Sequence, residues 1–113
     1  MDKDILSRYN ISDEYLSISK IAGKINALKN DDNMANLKGS DICLWLMSIG
    51  LLTEIEYNGR RRKIPTEKGK NMGMTIEHRI AYNSEYDIVL YDRNMQEFII
   101  DNFECLLEFI NKK

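Results

Sequence analysis

From Ser17 onward, apolar residues recur at steps of three and four: Ile18, Ile21, Ala22, Ile25 and Leu28. That spacing lines one face of an amphipathic helix. Ser17 is its expected N-cap, because a hydroxyl there can accept from an amide of the first turn. Lys29 sits where the negative end of a helix dipole favours positive charge. The stretch "NDDNMANLKGSD" breaks the pattern with Asn, Asp and Gly and reads as a loop, with Met34 and Leu37 turned back to the core. A second helix is expected over Ile42–Ile49, capped by Ser40 or Asp41, with Ile42, Trp45, Leu46 and Ile49 buried. Gly50 falls where a helix end requires a positive φ.

The period then shortens to two. Leu51, Thr53, Ile55 and Tyr57 alternate with Leu52, Glu54 and Glu56, which predicts a strand. Asn58-Gly59 is a two-residue hairpin signal. The return strand begins within Arg60-Arg61-Arg62, and Pro65 marks an edge position or the strand's end. Thr66 is expected to cap a single turn, "EKGK". "NMGMTIEHRIAYNSE" carries little pattern beyond turns at Gly69 and Gly73. Tyr86–Tyr91 reads as a strand. Asp92 then caps one long helix with an apolar stripe of Met95, Phe98, Ile99, Phe103, Leu106, Phe109 and Ile110. Residues 1–16 are expected to form an N-terminal arm or short helix anchored by Ile5, Leu6, Tyr9 and Ile11. Residues 17–113 form a single domain. A helix pair followed at once by a two-stranded hairpin predicts an α+β fold: a small winged helix-turn-helix with a C-terminal strand and long helix.

Composition narrows the classes. At 113 residues, with 43% hydrophobic and 30% charged residues, the chain can pack one core without disulfides or metal. No apolar run reaches the length of a membrane span. The N-terminus "MDKDILSRYN" has no basic stretch leading into an apolar one, so it does not read as a secretory signal. Cys43 and Cys105 both lie in apolar helical stretches and are expected to be buried, reduced thiols in a cytoplasmic protein. The formal net charge is -2. That opposes strong non-specific binding to nucleic acid, which depends on neutralising phosphates.

Catalytic patterns are missing. The sequence has no phosphate-binding glycine loop, no H-E-x-x-H and no C-x-x-C. Its one histidine, His78, is expected to be structural, and Asp31-Asp32 belongs to a solvated loop. No enzymatic activity, cofactor or metal is expected. The chemistry that does stand out is basic. Arg60, Arg61, Arg62 and Lys63 at a hairpin tip can contact phosphates. They can equally protect a strand edge, paired with Glu54 and Glu56, or dock an acidic protein. Lys38 and Ser40 at the start of the second helix can hold a further phosphate, although Asp41 beside them opposes it. The exposed face of that helix offers Leu44 and Met47, which suit a protein partner better than base edges. The C-terminal helix is apolar over a wide arc, through Phe98, Phe103, Leu107, Phe109 and Ile110. Such width fits a homodimer surface or burial within the monomer.

The segment "ICLWLMSIGLL", followed by a polar hairpin and "RKIPTEKGKNMGM", resembles the C-terminal KilA-C-like domain of phage antirepressor proteins. Leu44, Trp45, Leu46, Gly50, Leu51, Pro65, Thr66 and Gly73 stand at corresponding places. The resemblance covers roughly residues 17–103, and its motifs are of moderate specificity. Lys63 and Glu67 stand where that family usually has Asn and Gln, so contacts made there do not transfer. The resemblance implies double-stranded DNA binding and transcription regulation in a phage or mobile-element setting. The alternative expectation is a phage-encoded protein-interaction module that inhibits a host nucleoprotein, such as a CRISPR effector.

Overall fold

The computed structural model describes residues 9–28, 37–57 and 59–111, the side chain of Tyr57 aside. Among them are five helices and two antiparallel sheets. β1 (Leu16–Ser17) runs directly into α1 (Ile18–Ala27). Ser17 caps α1 as predicted, its hydroxyl accepting from the Lys20 amide at 3.3 Å. Ile21, Ala22 and Ile25 are buried. Asn26 fixes the returning chain: its side chain donates to the Leu37 carbonyl and accepts from the Leu37 amide, at 2.9 and 2.8 Å. Leu37 is buried, as expected. Lys29, Met34, Asp31 and Asp32 lie outside the described residues, as do Ile5 and Leu6.

α2 (Gly39–Ser48) begins earlier than predicted. Lys38 is the N-cap, through its carbonyl, which accepts from the Asp41 and Ile42 amides. Ser40 and Asp41 therefore stand inside the first turn rather than at the cap position. Ile42, Trp45 and Leu46 are buried, and the Trp45 ring stacks on Phe98 with centroids 5.9 Å apart. The helix ends in a Schellman arrangement: the Gly50 amide donates to the Met47 carbonyl and the Leu51 amide to the Leu46 carbonyl. Gly50 takes the positive φ that this closure demands, +82°.

β2 (Leu52–Tyr57) and β3 (Arg60–Pro65) form the predicted hairpin, from Leu52 opposite Pro65 to Tyr57 opposite Arg60. Thr66 caps α3 (Glu67–Met72), which is two residues longer than expected. Gly69 lies inside α3, not in a turn. The weakly patterned stretch after it is a strand, β4 (Met74–Ala81), paired along its whole length with β5 (Ser84–Tyr91) through a second two-residue turn. Asn83 in that turn has φ +67°. Most of this hairpin stands clear of the core, so neither face needs to be apolar and the alternation is diluted. Only its base is buried, at Met74, Leu90 and Tyr91. β1 adds to β5 at that base, giving a sheet of order β1-β5-β4 beside the separate β2-β3 pair.

The expected single C-terminal helix is two helices, α4 (Arg93–Asp101) and α5 (Phe103–Asn111). Asp92 caps the first through the Met95 amide. The break falls at Asn102, whose side chain donates to the Phe98 carbonyl at 2.9 Å, a local bond that competes with continued helix. Met95, Ile99, Phe103 and Leu106 are buried, while Phe98, Leu107, Phe109 and Ile110 pack half-buried against the same core. Among the described residues one polar side chain, that of Gln96, is fully enclosed. Gln96 accepts from the Ser12 amide and donates to the Glu14 and Tyr91 carbonyls. It ties residues 12–14 to the end of β5. Tyr9 is buried too, and Lys24 lies over its ring. Both cysteines are free, but Cys105 is exposed rather than buried. It lines an open hollow of about 400 Å³ with Trp45, Ile49, Met72 and Phe98.

Candidate nucleic-acid interface

The predicted site residues fall into three places. Lys38 and Ser40 are exposed at the N-terminal end of α2. The β2–β3 hairpin leaves from the other end of that helix, through Gly50. The two groups therefore start a full helix length apart, roughly 15 Å for ten residues.

Along β3, successive side chains point to opposite faces. Arg60 and Arg62 share one face; Arg61 and Lys63 share the other. The arginine triplet is thus divided, which contiguity in the sequence concealed. Arg60 joins no ion pair among the described residues. The Arg61 guanidinium is 79% exposed and lies 3.5 Å from Glu54, a pairing across the ladder that the sequence anticipated. Arg62 reaches a different element and pairs with Asp87 of β5 at 3.2 Å. Lys63 runs back toward α2 and lines, with Cys43, Leu52 and Tyr91, a hollow of about 240 Å³.

Asp87 was not singled out by the sequence, yet it is the most contacted charge in the area. His78 Nδ1 lies 2.8 Å from its Oδ1. The hydrogen bond from His78 and the charge of Arg62 hold the Asp87 carboxyl below its ordinary range. His78 also lies 3.7 Å from Glu85. It is exposed.

α2 shows a surface poor in base-reading groups. Leu44 is exposed and Met47 half-buried against the core. Cys43 is half-buried beside Tyr91, and burial raises both above their ordinary values. No group of three or more His, Cys, Asp or Glu among the described residues could hold a metal. No described helix is long and apolar enough to cross a membrane.

Four of the residues behind the family resemblance, Gly50, Leu51, Thr66 and Gly73, belong with Gly69 to one structural staple. The Thr66 amide donates to the Leu51 carbonyl at 3.0 Å, and the Thr66 hydroxyl donates to the Gly50 carbonyl at 2.7 Å while accepting from the Gly69 amide. A Cβ on Gly69 would sit 2.1 Å from the Leu51 oxygen. Gly73, at φ +122°, closes α3, and its carbonyl accepts from the Asp92 amide. These positions serve the joint where both hairpins meet α2 and α4. Set against models of known families, curated proteins and solved structures, the chain matches none of them. The resemblance rests on the quoted residues alone.

Proposed function

We propose that this chain is a DNA-binding module of winged-helix type that grips the phosphate backbone through the β2–β3 hairpin. The observation that carries the reading is the outer end of that hairpin. Arg60 and Arg61 are both exposed there, one on each face, directly beyond a two-residue turn. A ribbon with a guanidinium on either side can lie along a backbone and donate to phosphates on both. The Glu54 partner of Arg61 is no obstacle, since an exposed ion pair is worth at most about 1 kcal/mol and exchanges readily. Lys38 and Ser40 would add a second backbone contact at the start of α2. With Leu44 and Met47 on the helix surface, this reading assigns positioning to the arginines and little base readout to α2. A regulatory or antirepressor-like role belongs to the same proposal.

The hairpin carries four bases against two acids, Glu54 and Glu56, so its own net charge is only +2. Binding should therefore be modest and steeply salt-dependent. Fluorescence anisotropy on mixed-sequence duplex at about 50 mM and about 200 mM salt tests this. Replacing Arg60 and Arg61 by alanine should weaken binding and flatten its salt slope. No binding at the lower salt overturns the proposal.

A second reading is a protein-interaction module acting on a host nucleoprotein. The exposure of Leu44 beside Met47, on a helix without base-reading groups, favours it. In that case capture of a partner survives nuclease treatment and Met47→Glu abolishes it.

A further inference from the structure

The β4 strand is an edge of its sheet. It pairs with β5 alone, and among the described residues no other strand is hydrogen-bonded to it, although β3 packs close by. Natural edges are usually blunted by charged side chains, lysine above all, by proline or by a bulge. β4 reads "MTIEHRIA": it has neither lysine nor proline, its ladder is unbroken from Met74 to Ala81, and its two full charges, Glu77 and Arg79, are opposite in sign. Apolar side chains nevertheless stand in solvent beside it: Ile76 is 40% exposed, Ile80 77% and Tyr82 95%.

The register shows which backbone groups are open. Ala81 and Ser84 flank the two-residue turn and form a hydrogen-bonded pair. Alternation along an antiparallel ladder then commits Thr75, Glu77 and Arg79 to bonds with β5. The amides and carbonyls of Ile76, His78 and Ile80 point outward along the edge.

We propose that two copies of this chain pair antiparallel through their β4 edges, with the two-fold axis at His78. Outward-pointing residues must meet outward-pointing residues, so the candidate registers differ by steps of two. Centred on His78, the pairing sets Glu77 opposite the second copy's Arg79 and, by symmetry, Arg79 opposite its Glu77. Ile76 meets Ile80 twice. A slide of two residues one way sets Glu77 against Glu77; the other way sets Arg79 against Arg79. Like charges directly opposite are destabilising. Charge thus selects one register, and the complement it selects is the strand itself.

The same register brings Tyr82 of the second copy opposite Met74. Beside Met74 lies a hollow of about 370 Å³ lined by Lys70, Met74, Thr75 and Ile76. It can receive the exposed ring, with the Lys70 ammonium close enough for a cation–π contact. The product is a closed, isologous dimer with one continuous six-stranded sheet. It uses a surface distinct from the C-terminal helix and does not depend on the nucleic-acid reading.

Sedimentation velocity of the full chain over a range of concentrations tests the proposal. The wild type should show a monomer–dimer equilibrium. Ile80→Lys should weaken it by about tenfold or more, and so should Arg79→Glu or Glu77→Arg alone, each of which creates two like-charge pairs. Mixing the Arg79→Glu and Glu77→Arg proteins should restore a one-to-one heterodimer, because every cross-strand pair is then opposite in sign. All three residues are exposed or half-exposed, and circular dichroism checks that each variant folds. A wild type that stays monomeric throughout overturns the proposal. A dimer indifferent to these substitutions overturns it as well, and would place self-association elsewhere, with α5 the first surface to probe.

Discussion

The β2–β3 and β4–β5 hairpins both turn on two residues, and both spring from the joint made by Gly50, Thr66, Gly69 and Gly73. Their outer halves differ. The first carries Arg60, Arg61, Glu54 and Glu56 and no large apolar group beyond Ile55 among its described side chains. The second carries Ile76, Ile80, Tyr82 and Tyr86, all substantially exposed, among charges of both signs, Glu77, Arg79, Glu85 and Asp87. An excess of basic charge keeps an edge available for an anion; exposed apolar groups between balanced charges suit a complementary strand. The difference separates two tasks on one small scaffold: the first hairpin suits a phosphate backbone, the second a strand.

The comparison presumes that both hairpins are held by the shared joint, and the largest predicted effect breaks that joint. In Gly69→Ala the new methyl would sit 2.1 Å from the Leu51 oxygen and 2.8 Å from Met74 Sδ. The Leu51–Thr66 bond and the start of β4 must both shift. A loss of about 3 kcal/mol is expected, or roughly 15 °C in Tm. Hydrogen exchange should quicken in both hairpins at once. If only one responds, the joint is not shared.

Next in size is a change confined to the second hairpin. Gln96→Leu leaves the Ser12 amide and the Glu14 and Tyr91 carbonyls without their partner. The expected cost is about 2 kcal/mol. Protection should fall at β1 and the base of β5 and hold in β2–β3. Thermal unfolding of this variant beside hydrogen exchange by residue is the check.

Local chemistry was legible in this sequence, and long-range pairing was not. Ser17, Thr66 and Asp92 cap the helices predicted for them because a cap needs only neighbours three residues away. Gly50 and Asn58-Gly59 are equally local signals. β4 was missed because its side chains are set by solvent on both faces, so Glu77, His78 and Arg79 blur the period that Ile76 and Ile80 begin. The break at Asn102 carries neither proline nor glycine to announce it. For the candidate site, residue types were legible and their grouping was not. Arg60, Arg61 and Arg62 look like one cluster until strand alternation divides them, and Asp87 becomes a partner only when the second hairpin folds over.

A smaller effect isolates the first hairpin. Thr66→Val removes the α3 cap and the hydroxyl bond to Gly50 while keeping the shape. About 1 kcal/mol should be lost, and Thr66→Ser should recover most of it. Chemical denaturation of the three proteins decides this. Equal stability of the valine and serine variants would mean that the hydroxyl contributes nothing at this joint.

The smallest effect concerns the ion pairs, and it separates a contact within a hairpin from one between hairpins. Arg61–Glu54 joins neighbouring strands, and both groups reach solvent. A double-mutant cycle with alanine should give less than about 0.5 kcal/mol. Arg62–Asp87 joins the first hairpin to the second, in an area where His78 also holds the carboxylate. Its coupling should exceed that of Arg61–Glu54 and should depend on pH. The folded protein holds the Asp87 carboxyl below its ordinary value, so the stabilisation is present above the unfolded carboxylate range and is lost as pH falls through the folded value. Acidification from neutral pH to well below about 3.9, the unperturbed aspartate value, should therefore erase the Arg62–Asp87 coupling. High salt should reduce the Arg61–Glu54 coupling first, since that pair is the more exposed. If the two couplings are equal and equally salt-sensitive, the hairpins are not electrostatically joined, and the first is anchored by the glycine–threonine joint alone.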